Sequence, residues 1–308
     1  IEFFDKVDQY DLSDEDQNEF LFKLGYSNFM KNNQIEAKVL FSELLQKQTN
    51  YEVPATYYFS HIAYEEGKYQ TALEGFKKIS NNKMFKPIIP YYITQILYQQ
   101  NKYDELIDYA PSYMDSITEK RKGEFAKLIG DSYFKNKDFK NSLEYYKIFK
   151  KSSKSTRESN YQVAFCYYKT EKYKQCIDLF SRVTFKDDSL TQTCYYHMAD
   201  SYLRINEKGY AKNAFQKASK LIFDIDIKRN SLFNYAKLAY ELSYNPYDEA
   251  IVAFQDFIKE YPESEDAKEA YEFLLKVYLT TKNYDDALVS LEKIKNKDPR
   301  MQKAYQSI

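Results

Sequence analysis

The sequence predicts an all-α protein, a right-handed α-α superhelix (solenoid) of about eight helical hairpins. Three observations predict it. Gly and Pro are scarce, at 6 and 7 among 308 residues. Connections must therefore be short and few, whereas a β-sandwich or barrel of this length needs many more turn residues. Apolar residues recur at i, i+3, i+4 and i+7, the period of an amphipathic helix. A small residue also returns at a nearly fixed interval through the whole chain.

That residue is found at Ala37, Ala72, Leu106, Ser142, Cys176, Ala211, Ala250 and Ala287, at spacings of 35, 34, 36, 34, 35, 39 and 37. A Tyr or Phe stands three positions before it in six of the eight units and an aromatic four after it in six, with both in units such as Tyr69, Ala72 and Phe76. Twelve positions before it lies a second small or apolar residue: Gly25, Ser60, Thr94, Gly130, Ala164, Ala199 and Leu275. In the fourth unit Phe125, Ile129 and Tyr133 mark one helix and Leu143, Tyr146 and Phe149 the next, with Lys135-Asn-Lys-Asp138 as the turn. Two such helices form an αα-hairpin. Small residues let its helices approach, aromatics fill the gaps, and stacked neighbours bury the face that one hairpin cannot bury alone. The chain is read as a single array with units near 18–52, 53–86, 87–122, 123–156, 157–191, 192–228, 229–266 and 267–300. A half repeat over 1–17 and the start of another over 301–308 flank them, so the array is expected to continue and to self-associate weakly through its ends. Ser13 and the acids around it, Asp11 to Asp16, suit a helix start. Pro262 and Pro299 suit the ends of second helices, and an insertion is expected near Ser243–Pro246.

The pattern resembles the tetratricopeptide repeat family. Leu24-Gly25 with Ala37 and Phe41, Ile129-Gly130 with Tyr133, and Ala250, Phe254 and Pro262 carry the resemblance, which covers almost the whole chain. The third unit, with Leu106 and Ala110 at the Ala and Phe positions, fits it least. The runs Tyr57–Tyr64, Phe233–Tyr244 and Leu291–Pro299 are similar to segments of the large multi-repeat tetratricopeptide proteins of Bacteroidota. That similarity implies a periplasmic or outer-membrane-associated scaffold.

Composition narrows the function. With 45 basic and 46 acidic residues the chain lacks the basic excess of a nucleic-acid binder. No apolar stretch is long enough to span a bilayer. The three cysteines, at positions 166, 176 and 194, build no disulfide framework. Cys194 and His197 share a helix face, which is half a metal site at most; packing explains them as well, and Cys176 falls at a core position. There is no phosphate loop and no nucleophile elbow. The basic stretch Lys147, Lys150, Lys151, Lys154 and Arg157 reads as a hairpin connection, either solvated or a contact for an acidic partner. The expectation is a non-catalytic chain without cofactor or metal.

In the resembled family the first helices line a concave groove that binds peptides or partner proteins. Mapped unit by unit, this implies a row of Phe29, Tyr64, Tyr98, Phe134, Tyr168 and Leu203, expected to be exposed. A second row, one turn earlier, is Phe22, Tyr57, Tyr91, Tyr161 and Tyr196, which could equally be core. Asp131, Lys135, Lys169 and Arg204 lie beside them. Tyrosine joins a large ring to a hydroxyl and suits half-wet binding surfaces. The family's Asn and Lys clamp for a C-terminal carboxylate does not recur at matching positions. The expected role is a protein-interaction scaffold with a protein or peptide partner. The alternatives are an architectural or oligomerisation rod and, less well supported, a glycan-binding surface.

Overall fold

The computed structural model describes residues 12–283 except 48, 153 and 244–246, together with 285–287 and 289. The expected half repeat before residue 12, the insertion at 244–246, Pro299 and the segment 301–308 therefore lie wholly or largely outside the described residues. The chain divides into two compact units, Ile1–Lys154 and Ser155–Ile308.

In the first unit the helices are α1 (Asp14–Met30), α2 (Gln34–Leu45), α3 (Glu52–Glu65), α4 (Tyr69–Lys78), α5 (Ile89–Gln99), α6 (Tyr103–Tyr109), α7 (Glu119–Lys135) and α8 (Phe139–Ser152). A 3-10 turn over Ala110–Tyr113 extends α6. The second unit contains α9 (Arg157–Lys169), α10 (Tyr173–Ser181), α11 (Ser189–Arg204), α12 (Lys208–Lys220), α13 (Ile225–Leu242), α14 (Asp248–Glu260) and α15 (Glu265–Thr280). Consecutive helices pack as hairpins, and each hairpin packs on the next within its unit. Among the described residues there is no strand. Ser13 caps α1 by accepting from the Asp16 backbone N–H.

One turn closes nearly every hairpin. The connection within the first six hairpins is three residues long. Its middle residue is left-handed: Asn32, Gly67, Asn101, Lys137, Glu171 and Asn206, with Lys282 after α15, have φ between 57 and 73°. Each lies five positions before the recurring small residue. Two backbone bonds accompany it, as between Asn101 N–H and Tyr98 O at 3.0 Å and between Lys102 N–H and Leu97 O at 2.9 Å. This is the Schellman closure of a helix C-terminus. The seventh hairpin departs from it: its left-handed residue is Tyr247, directly before α14.

Below the turn, the first-helix small residue meets the second-helix ring. A Cβ on Gly25 would lie 2.9 Å from the Phe41 ring, and one on Gly130 would lie 2.9 Å from Tyr146. Both rings are fully buried. The third unit exchanges the sizes, with Thr94 and Ala110 in these places, both fully buried. Its second helix is also shorter, which is why it fits the family pattern least.

Gly130→Ala should lower stability by about 1–3 kcal/mol in urea denaturation, because Tyr146 has no space to retreat. Gly209→Ala, on α12 with nothing within 4 Å of the new methyl, should leave stability unchanged or raise it by up to about 1 kcal/mol. Equal losses in both would refute the close-approach account.

Candidate functional site

The first aromatic row occupies the last turn of each first helix. Its members supply the carbonyls that accept the turn N–H: Phe29, Tyr64, Tyr98, Phe134, Tyr168 and Leu203. The rings are half-buried, not open as expected. Four of them form a clasp across the turn, in which the ring meets an aromatic first residue of the following helix, whereas Phe29, with Gln34 at that place, packs on Tyr58 at 5.0 Å and His61 at 5.4 Å. The pairs are Tyr64–Tyr69 at 6.0 Å, Tyr98–Tyr103 at 5.6 Å, Phe134–Phe139 at 5.5 Å and Tyr168–Tyr173 at 6.3 Å. The aromatic three before the small residue, visible in the sequence, is the other half of this clasp.

The second row is half-buried as well, and four of its five rings face a ring of the second helix. Phe22 faces Phe41 at 6.0 Å, Tyr57 faces Phe76 at 6.1 Å, Tyr161 faces Phe180 at 5.9 Å and Tyr196 faces Phe215 at 6.0 Å. Tyr57 also stacks on Phe85 at 4.4 Å. These rings join the two helices of a hairpin, which is the packing role that sequence left open. Burial pushes the Tyr161 hydroxyl up to about 12.

In the first unit the tyrosine hydroxyls tie successive first helices together. Tyr64 Oη donates to Gln95 Oε1. Gln95 Nε2 donates to Tyr91 Oη at 2.7 Å, and Tyr91 Oη donates to Glu124 Oε2 at 2.7 Å. The run crosses α3, α5 and α7. The Arg121 guanidinium lies 4.7 Å from the centre of the Tyr91 ring. Burial, with Asp131 and Tyr103 nearby, pushes Tyr98 up to about 12. Asp131 departs from the expectation of a surface acid. It is 3% exposed, accepts from Tyr146 Oη at 2.7 Å and pairs with Lys127. Lys135 is exposed at the end of α7.

In the second unit Tyr168 Oη donates to Asp200 Oδ2 at 2.9 Å, and Arg204 Nε lies 3.6 Å from the same oxygen. Lys169 is exposed, with Nζ 5.6 Å from the centre of the Tyr168 ring. Sequence reasoning missed Gln95 and Asp200, which carry these ties. Each stands one position after the first-helix small residue, an offset that could have flagged them.

His197 is a packing residue. Phe165 at 5.2 Å, Tyr168 at 4.8 Å, Phe180 at 5.9 Å and Tyr196 at 5.6 Å surround it, and its Nδ1 is buried without a hydrogen-bond partner. Burial pushes its pKa down to about 4, and Lys169 adds to the effect. Cys194 is buried, which pushes its thiol up to about 12. Among the described residues no three His, Cys, Asp or Glu side chains cluster as metal ligands.

The basic stretch is a connection only in part, since Lys154 lies between α8 and α9 while the other bases lie on those helices. Lys147, Lys150 and Lys151 lie in the last turns of α8, and Lys147 pairs with Glu144 at 2.8 Å. Arg157 is committed elsewhere. Its Nη2 donates to Asp188 Oδ1 at 2.7 Å and to Thr191 Oγ1 at 2.8 Å, its Nε donates to Val183 O at 2.7 Å, and its Nη1 reaches the other Asp188 oxygen. This bidentate pair holds the Asp188 carboxyl well below the usual carboxylate range.

Helical hairpins of about 34 residues with a fixed turn and a half-exposed aromatic first-helix face define a helical-repeat protein. The tetratricopeptide repeat family model matches residues 230–264. The chain is similar in fold to the C-terminal part of a TPR repeat-containing protein from Cytophaga hutchinsonii, at 17% identity and a TM-score of 0.53 over 82% of this chain and 99% of that one. It is also similar to Naa15/Naa10 bound to HypK-THB, at 14% identity and 0.54 over 83% of this chain and 38% of that one. A tetratricopeptide repeat protein from Parabacteroides merdae aligns at 12% identity and 0.45 over 83% and 98%. No curated protein sequence matches the chain. The chain has the tetratricopeptide-repeat fold.

A neutral buried His197 makes stability depend on pH. Between about pH 4 and 6.5 the unfolded chain binds the proton that the folded chain refuses, so stability falls as pH drops through this window. The loss at the bottom of the window should reach about 3 kcal/mol. His197→Phe should flatten most of it in melting curves from pH 7 to 4.5. An unchanged slope would place the acid sensitivity elsewhere.

Proposed function

We propose that this chain is a non-catalytic protein-interaction scaffold that holds an extended peptide or a partner domain against its first helices. The observation that carries the proposal is the chemistry of that face in each unit. Half-exposed tyrosine edges are fixed by the turn clasp and by hydrogen bonds between helices; exposed Lys135 and Lys169 follow clasp rings directly, and exposed Arg204 follows Leu203 of the same row. Rings already held in place lose little entropy when a ligand covers them. A peptide can satisfy both the hydroxyl edges and the cations, whereas a rod has no need of cations there. The tetratricopeptide-repeat fold supports an interaction role in general. We also propose a place in a bacterial cell envelope, periplasmic or associated with the outer membrane, on the resemblance of the runs Tyr57–Tyr64 and Phe233–Tyr244 to segments of large Bacteroidota repeat proteins.

The test is site-specific photo-crosslinking in lysate of the source cell. A crosslinker at position 169 or 204 should capture a protein that one at position 252, on the second-helix side of the same unit, does not. Lys169→Glu with Arg204→Glu should weaken that capture about tenfold or more, since charge contacts at a partly desolvated face contribute on this scale. Equal capture from all three positions, or none, would favour the architectural rod. Fractionation of the source cell tests the envelope placement, and recovery in the cytoplasm would reject it.

A further inference from the structure

Four large apolar side chains of the second unit stand in water. Phe185 is 66% exposed, Ile222 72%, Phe223 52% and Ile225 68%. They share one place in the fold. Phe185 lies in the connection from α10 to α11, and the other three lie between α12 and the first residue of α13. The first turn of α11 joins the two loops. Thr191 Oγ1 donates to Lys186 O. Its neighbour Gln192, fully buried, donates to Leu221 O at 2.7 Å and to Asp224 O at 3.0 Å, and accepts from Asp224 N–H at 2.7 Å. On the other side Arg157 holds Val183 O. Both loops are therefore pinned through their backbones while their apolar tips stay uncovered. Water gives such tips no return, so they point to a partner surface.

Charge indicates its kind. Lys186 lies in the first loop, and Lys217 and Lys220 lie in the last turn of α12 before the second. All three are exposed and among the described residues none forms an ion pair, although Lys217 Nζ lies 5.3 Å from the centre of the Tyr195 ring and Lys186 acts on the Glu158 carboxylate. The acids of these loops are mostly engaged. Asp188 is held by Arg157, Asp224 caps α13 by accepting from Ile227 N–H at 2.9 Å, and Asp226 pairs with Arg229 at 3.1 Å. Asp187 alone makes no such contact. The spare charge at the edge is positive. The tips project from two short loops, so a fluid apolar phase can take them without matching their shape. Loop tips of this kind beside lysines fit the boundary between headgroups and acyl chains.

We propose that this edge of the second unit docks on an anionic lipid surface, with Phe185, Ile222 and Phe223 entering the interface and Lys186, Lys217 and Lys220 meeting lipid phosphates. The docking is peripheral, since no described helix is long and apolar enough to cross a membrane. It does not depend on the groove reading, because the two use different side chains on different helices and loops. The first unit carries a similar loop of its own, in which Met84, 73% exposed, lies between exposed Lys83 and Lys86.

The experiment is flotation of the full chain with vesicles of phosphatidylcholine alone or containing about one third phosphatidylglycerol. The wild type should float with the anionic vesicles, poorly with the neutral ones, and less at about 1 M salt. Phe185→Ser, Ile222→Ser and Phe223→Ser together should cut flotation about tenfold or more. Lys186→Glu with Lys220→Glu should do the same, and this pair decides the matter if the serine variant melts early. A wild type that stays in solution, floats equally on neutral vesicles, or floats no better than the variants would overturn the proposal. A concentration-dependent dimer lost in the serine variant, without flotation, would overturn it in favour of a second copy covering the tips.

Discussion

A turn of constant length sets the register of every contact above it. Three residues with the middle one left-handed leave the second helix a single starting point. From that point two distances along the chain become two contacts in space. Residues five apart straddle the turn as an aromatic clasp, as in Tyr98 and Tyr103. Residues sixteen apart become the close approach of Gly25 to Phe41 and of Gly130 to Tyr146. One added residue would rotate the second helix by about 100° and separate both pairs. The strain of φ near 60° at Lys137 or Glu171 is the local cost of that register. Two backbone hydrogen bonds per turn offset it.

The fold was legible because offsets, not single residues, repeat. Any one Ala or Tyr is common, but eight units about 34 to 39 residues apart that each keep an aromatic before the recurring residue, after it or on both sides are not. The turn itself was less legible. Its left-handed position holds glycine only at Gly67, and Asn, Lys or Glu stands at the others. A search for glycine would have found one hairpin. The site was legible as a set of positions but not as a set of roles. The same tyrosine pattern marks a ring that clasps a turn, a ring that fills a hairpin and a ring that faces solvent. Only neighbours from the next repeat separate Tyr57, stacked on Phe85, from Tyr98. Asp131 shows the limit most plainly, because its acidity suggested a surface while Tyr146, fifteen residues on, draws it inside. Arg157 sat in a run of bases in the sequence, yet its partner Asp188 is a full repeat away.

The chain uses tyrosine where a drier protein would use phenylalanine. Helices in a stack of hairpins are never wholly inside, so a large side chain near the edge must satisfy two solvents at once. The ring is buried against the following helix and the hydroxyl finds a polar group on the next hairpin, as Tyr64 does with Gln95 and Tyr168 with Asp200. Each hydroxyl thus bonds across a repeat boundary that rings alone would only fill. His197 sits at such a boundary without a partner for Nδ1, where protonation has no compensation.

The two kinds of connection differ in freedom. Turns inside the first six hairpins hold three residues, whereas the segments between hairpins run from four, after α12, to ten, between α4 and α5. Nothing in the clasp or the close approach counts residues there. A gene encoding such a chain can accept or lose codons between hairpins without shifting the register of either neighbour. Lineages that keep the same scaffold can therefore diversify at these junctions first, and a designer adding an epitope or a tether has the same addresses to choose from.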